Sequence, residues 1–135
     1  MRVLFYYRGS EHIGLESIMS YIQRKGHMVE LIYEPALGDN GYIDIPWLNN
    51  FFYNDELVVN KALRFKPDLI CFSAITNLYM PIKNLAKKFK EVMPDTPIIV
   101  GGIHPTSLPE ETISENCFDM ICLGEGEGAL EDLLQ

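Results

Sequence analysis

Apolar residues in this 135-residue chain gather in short runs that alternate with segments of helical period. Residues 3–7 (VLFYY) are β-branched and aromatic and predict a buried strand. Residues 14–25 carry Leu15, Ile18, Met19 and Ile22 at helical spacing, with Gly26 placed to close the helix. A second strand is expected over 28–33, where Val29, Leu31 and Tyr33 alternate. Residues 34–54 mix prolines, glycines and aromatics without a period, a long connection for a compact domain. Residues 55–65 predict a helix capped by Asn54 or Asp55, with Leu57, Val58, Ala62 and Phe65 as its apolar face and Pro67 as its stop. A third strand follows at 68–73 (DLICFS). The helix expected over 79–93 buries Ile82, Leu85, Ala86 and Phe89 and turns Lys83, Lys87, Lys88 and Lys90 to solvent. Strands four and five fall at 98–100 and 119–123. Between them Pro109, Glu110 and Glu111 open a short helix, proline and carboxylates both suiting a first turn. A last helix runs from 127 to 134.

Strand and helix alternate five times, and the strands are apolar throughout. That pattern means a parallel sheet covered on both faces. Right-handed crossovers make it an α/β, doubly wound, Rossmann-like (flavodoxin-like) five-stranded sheet, with order 2-1-3-4-5 expected. The length suits a single domain over 1–135. Because the chain stops at Gln135 within an amphipathic helix, it is expected to be the first part of a longer protein.

Composition narrows the classes of function. Hydrophobic residues make up 47% and charged residues 22%, as in ordinary globular chains. No apolar run reaches the roughly 20 residues of a membrane span, and no signal peptide is visible, so a cytoplasmic location is expected. A net charge of -8 argues against binding a nucleic-acid backbone. Cys71, Cys117 and Cys122 lack metal-ligand spacing and read as free, buried thiols.

Ligands of doubly wound sheets bind at the carboxyl ends of the strands, where this chain places Gly101-Gly102 and Gly124-Glu125-Gly126-Glu127. The turn after strand one, Arg8 to Gly14, has the wrong glycine spacing for a dinucleotide. A phosphorelay receiver needs an acidic pair after strand one and an aspartate ending strand three; Tyr6-Tyr7 and Ser73 stand there instead. A flavin mononucleotide loop would be rich in hydroxyls, and only Ser10 is offered. The carboxylates of Glu125 and Glu127 would repel a nucleotide phosphate.

Taken together, the loops resemble the cobalamin-binding domain that precedes the radical S-adenosylmethionine domain in a large group of enzymes. The marks run almost the length of the chain: Gly14-Leu15, Gly26-His27-Met28-Val29 and Lys66-Pro67-Asp68-Leu69-Ile70, then Ser73 and Thr76. Gly101 to Thr106 (GGIHPT), Pro109-Glu110-Glu111, Asp119 and Gly124-Glu125-Gly126-Glu127 complete them. The resemblance implies that cobalamin lays its corrin over the carboxyl edge and inserts its nucleotide tail beside strands three and four. Gly101 and Gly102 would make room for the tail, Ser73 and Thr76 would offer hydroxyls, and Gly124 and Glu125 would border it. Ile75, His104 and Pro105 would lie near the corrin rim. On this reading a tryptophan at Ser73 or Gly102 blocks the tail while sparing the fold. Some relatives carry D-x-H-x-x-G, whose histidine ligates cobalt; here Ser10 replaces the aspartate and Gly14 falls one place early, so His12 is not assigned as a ligand. The domain itself would be non-catalytic and contain no metal ligand. The 4Fe-4S cluster and S-adenosylmethionine would belong to a C-terminal radical S-adenosylmethionine domain of the same chain, performing methyl transfer or cyclisation. The alternative is a non-catalytic sensor or interaction module that binds another small molecule or none.

Overall fold

The computed structural model describes residues 1–9, 13–35 and 54–135. Its elements are β1 (Arg2–Gly9), α1 (Ile13–Arg24), β2 (Met28–Pro35), α2 (Asp55–Phe65) and β3 (Leu69–Ser73). A 3-10 turn (Thr76–Leu78) leads into α3 (Tyr79–Val92), followed by β4 (Ile98–Gly101), α4 (Ile103–Ser107), α5 (Pro109–Ile113), β5 (Met120–Ile121) and α6 (Gly126–Leu133). All pairings are parallel and the order is β2-β1-β3-β4-β5, the doubly wound arrangement expected from the sequence. Most of the 34–54 connection, including the proline- and aromatic-rich part, lies outside the described residues, as do Ser10 and His12.

The two sheet faces are filled differently. On one, Leu4, Tyr6, Ile70, Phe72, Ile98 and Val100 meet Val58 and Ala62 of α2 and the buried stripe of α3. Phe72 sits at the centre of an aromatic cluster, its ring 5.3 Å from Tyr6, 5.9 Å from Phe89 and 6.4 Å from Phe118. On the other, Val3, Phe5, Leu69, Cys71 and Ile99 meet Leu15 and Ile22 of α1 and Leu130 of α6. Each fully buried side chain of this size stabilises the fold by about 1.5–3 kcal/mol.

Local signals act where they were expected. Asn54 caps α2, its side chain accepting from the Glu56 and Leu57 N–H groups at 3.0 and 3.2 Å. Gly26 takes φ 92° after α1. The second strand differs in detail: Leu31 and Tyr33 are partly exposed while Ile32 and Glu34 are buried. β2 is the sheet edge. The Tyr6 hydroxyl donates to Glu34, which explains how a carboxylate is tolerated in the interior. The helix at Ile103–Ser107 has no sequence signal of its own, and the fifth strand is two residues long rather than five.

Two aspartates at strand starts act as clamps. Asp68 accepts from the Arg2 N–H at 2.6 Å, and its own N–H donates to the Arg2 carbonyl at 2.8 Å. Asp119 repeats this with Ile98, accepting at 2.7 Å and donating at 2.9 Å, and also pairs with Lys90 at 2.7 Å. The short β5 is thereby held in register by a side chain at its entrance.

Burial pushes the Asp119 carboxyl up, but Lys90 and the Ile98 N–H outweigh this and hold it below the ordinary aspartate value. A lowered folded-state pKa makes this stabilisation fully present above the ordinary value, and it is lost as pH falls through the lowered one. Urea unfolding of Asp119→Asn should show a deficit of about 1 kcal/mol at pH 7. That deficit should shrink as pH drops below about 4; a gap unchanged at pH 3 would contradict the assignment.

Candidate cofactor-binding site

On the α1/α6 face, side chains in register across the sheet form rows. Phe5, Cys71 and Ile99 make one filled row. The next row toward the carboxyl edge runs Tyr7, Ser73, Gly101, stepping from a large ring to a hydroxymethyl group to no side chain. The space left under the flanking helices is a cavity of about 440 Å³, within the range of small-molecule sites. Leu15 and Ile18 of α1 and Leu130 of α6 close it from above. Gly14, Gly124, Glu125 and Glu127 stand toward solvent, and Cys122 and Gly126 complete the wall.

Helix α6 packs close to α1 at Gly126, where a Cβ would stand 2.8 Å from Ile18 Cδ1. Farther along, Tyr21 of α1 and Lys25 just after it both donate to Glu131 of α6. The cavity is therefore roofed by two helices tied at its back.

Gly102 has a different reason from the one its sequence position suggests. Its φ is 104°, and a Cβ there would meet the Ala74 carbonyl oxygen at 2.7 Å and the Ala74 nitrogen at 3.0 Å. The ends of β3 and β4 are in backbone contact: the Ala74 N–H donates to the Gly101 carbonyl at 2.8 Å and the His104 N–H to the Ala74 carbonyl at 3.1 Å. Gly102 lines the cavity, but it is glycine to let its own chain pass, so a tryptophan there would not spare the fold. Gly124 has φ 75° with nothing near a Cβ, a purely conformational requirement. The Thr106 hydroxyl links the two glycine loops, donating to the Gly102 carbonyl at 2.8 Å and accepting from the Gly124 N–H at 3.3 Å.

Of the nine residues expected at a ligand, Ser73, Gly101, Gly102, Gly124 and Glu125 line the cavity. The other four lie elsewhere. Ile75 packs against the aromatic-rich core, and Thr76 opens the 3-10 turn, its Oγ1 3.4 Å from His104 Nδ1. His104 and Pro105 are buried. The His104 ring stacks on Tyr79 at 3.7 Å between centroids, so it braces the loop from inside rather than standing at an open rim. Its Nε2 has no hydrogen-bond partner among the described residues.

Sequence reasoning missed the apolar contribution. Phe5, Leu15, Ile18, Cys71, Ile99, Cys122 and Leu130 all line the cavity, and nothing in one sequence separates them from ordinary core. A second omission was findable: Ile13, Ile103 and Leu123 follow the carboxyl ends of β1, β4 and β5 and are 83%, 66% and 54% exposed. All three follow strands at the carboxyl edge, where ligands of doubly wound sheets bind. Burial pushes the Cys71 and Cys122 thiols up, reinforced by Cys122 and by Glu127 respectively, so both are neutral at pH 7. Among the described residues there is no cluster of three or more side chains able to hold a metal ion, and no helix is long and apolar enough to cross a membrane.

The family model described as the B12 binding domain matches residues 8–134. Over 103 residues, 74% of this chain, the sequence is 29% identical to an anaerobic magnesium-protoporphyrin IX monomethyl ester cyclase of Cereibacter sphaeroides. The aligned part is 17% of that protein, so this chain corresponds to a small portion of a much longer relative. Among solved structures, the cobalamin-dependent S-adenosylmethionine radical enzyme OxsB with aqua-cobalamin bound superposes with a TM-score of 0.70 at 21% identity, over 98% of this chain and 18% of OxsB. A cobalamin-binding protein from Desulfitobacterium hafniense superposes at 0.66 and 14% identity, over 98% of this chain and 57% of that one. At those identities the structural likeness is one of fold.

The two adjacent glycines at the end of β4 should respond differently to alanine. Gly102→Ala should lower stability by about 2 kcal/mol or more through positive φ and the Ala74 clash. Gly101→Ala places a Cβ 3.4 Å from the Cys122 Cβ and should cost less than about 1 kcal/mol. Urea denaturation of the pair checks this, and equal losses would refute the distinction.

Proposed function

The chain belongs to the B12 binding domain family, and from that premise we propose that it holds cobalamin with the nucleotide tail in the cavity beneath α1 and α6. The observation that carries this reading is the tapering row Tyr7, Ser73, Gly101, which opens an apolar cavity at the carboxyl edge between two tied helices. The residues present fit such a tail. An aromatic base suits the neutral, apolar floor. The Ser73 hydroxyl at the strand end is a neutral donor and acceptor for the sugar and phosphate portion. Gly101 and Gly124 leave backbone open to close approach, and Glu125 contributes through its main chain at the start of α6. Ile13, Ile103 and Leu123 give the exposed edge an apolar surface for the corrin. Thr76, His104, Ile75 and Pro105 act on the ligand indirectly, by fixing the loop that Ile103 begins.

Bound cobalamin supplies organocobalt chemistry such as methyl transfer, and this domain's part is to hold and orient it. We place the 4Fe-4S cluster and S-adenosylmethionine in a following radical S-adenosylmethionine domain of the whole protein, whose reaction would be methyl transfer or cyclisation. The long curated relative and the OxsB superposition support that arrangement. A cytoplasmic setting fits the free thiols of Cys71, Cys117 and Cys122.

The test is retention of cofactor. The chain is mixed with hydroxocobalamin, passed through a gel-filtration column and read for corrin absorbance at the protein peak. Co-elution near one equivalent is expected. Ser73→Trp, which fills the cavity at the strand end, should weaken binding at least about tenfold. Leu123→Ser, at an exposed position, should weaken binding without moving the urea midpoint. A wild-type chain that elutes free of corrin overturns the proposal.

A further inference from the structure

We propose that the floor of this cavity sorts corrinoids by their lower base, accepting a methylated benzimidazole and discriminating against adenine. The inference rests on the cobalamin reading above and concerns which cobamide the same site takes. The floor consists of Phe5, Cys71 and Ile99 of the sheet with Cys122, faced by Leu15 and Ile18 of α1. All but Ile18 are at most 9% exposed, and none has a side-chain oxygen or nitrogen. The two thiols are its only side-chain heteroatoms among the described residues, and a neutral thiol is a weak donor and a weak acceptor.

The backbone at the centre of the floor is already engaged. Cys71 and Ile99 lie inside the paired ladder of β1, β3 and β4. Where the ladder ends, the Gly101 carbonyl accepts from the Ala74 N–H at 2.8 Å and the Val100 carbonyl from the Cys122 N–H at 2.9 Å. The hydrogen-bonding side chains of the lining are Ser73 at the strand end and Glu125 and Glu127 toward solvent. Ser73 can serve the sugar and phosphate portion and the two carboxylates can accept from a sugar hydroxyl, but none of them serves a base lodged on the floor.

Dimethylbenzimidazole carries two methyl groups and a single free ring nitrogen. Adenine carries an exocyclic amine and several ring nitrogens. Each polar group that leaves water without a partner is penalised, whereas the methyl groups gain from apolar burial. The floor therefore discriminates by what it fails to supply, a selectivity that reaches about a hundredfold for an apolar pocket facing a more polar ligand.

The 135-residue chain would be titrated with cobalamin, with the adenine-bearing cobamide and with tail-less cobinamide, and affinities read by equilibrium dialysis and corrin absorbance. Cobalamin should bind at least about tenfold more tightly than the adenine form, with cobinamide the weakest. Cys71→Ser exchanges a thiol for a hydroxyl of similar size and should narrow the gap between the two cobamides about threefold. Equal affinity for the two cobamides overturns the sorting and leaves cobalamin binding standing. A gap unchanged in Cys71→Ser overturns the floor as its source. Cobinamide bound as tightly as cobalamin removes the base from the cavity and overturns the proposal. Retention of none of the three overturns the cobalamin reading and this inference with it.

Discussion

The contact between Gly102 and Ala74 is the constraint on which the carboxyl edge depends. Two backbones approach so closely that no side chain fits between them, and Ala74 is held from both directions by the Gly101 carbonyl and the His104 N–H. This joins the ends of β3 and β4 and aims the following segment away from the cavity, so that His104 turns inward onto Tyr79. Thr106 then carries the order to the next loop through Gly124. One close approach thus places both glycine loops, and the space between them inherits its shape.

The sheet divides its work between its faces. The α2/α3 face is packed with aromatic side chains around Phe72. The α1/α6 face also carries aromatic rings, Phe5 and Tyr7, but runs out of side chain toward Gly101. An apolar cavity forfeits packing contacts that a filled core would keep, and the filled face together with the Glu131 tie between α1 and α6 offsets that loss. A site lined by Cys71 and Ile99, both in central strands, is also positioned by the stiffest part of the fold.

Much of the fold was legible because strand and helix periods report directly on burial. β1, β3, β4 and the helices α1, α2 and α3 fell within a few residues of their expected limits, and the order of five parallel strands followed from right-handed crossovers. Leu31 and Tyr33 did not follow their pattern: they lie on the edge strand, a position set by the pairing of distant segments. The two-residue β5 and the unsignalled helix at Ile103–Ser107 depend on the Asp119 clamp and the Ala74 contact, both long-range.

For the site, the sequence by itself determined the chemistry available. It placed Ser73, Gly101, Gly102, Gly124 and Glu125 at the carboxyl ends of strands, because those positions follow from topology. Only the tertiary structure decided which of these face a common cavity, that a side chain at Gly102 would meet the Ala74 backbone, and that His104 is interior. It also decided that Cys71 and Ile99, indistinguishable in sequence from any other core residues, form a ligand-sized floor. A period along the chain says whether a side chain is buried. What it is buried against, or whether it faces empty space, depends on residues brought from elsewhere in the chain.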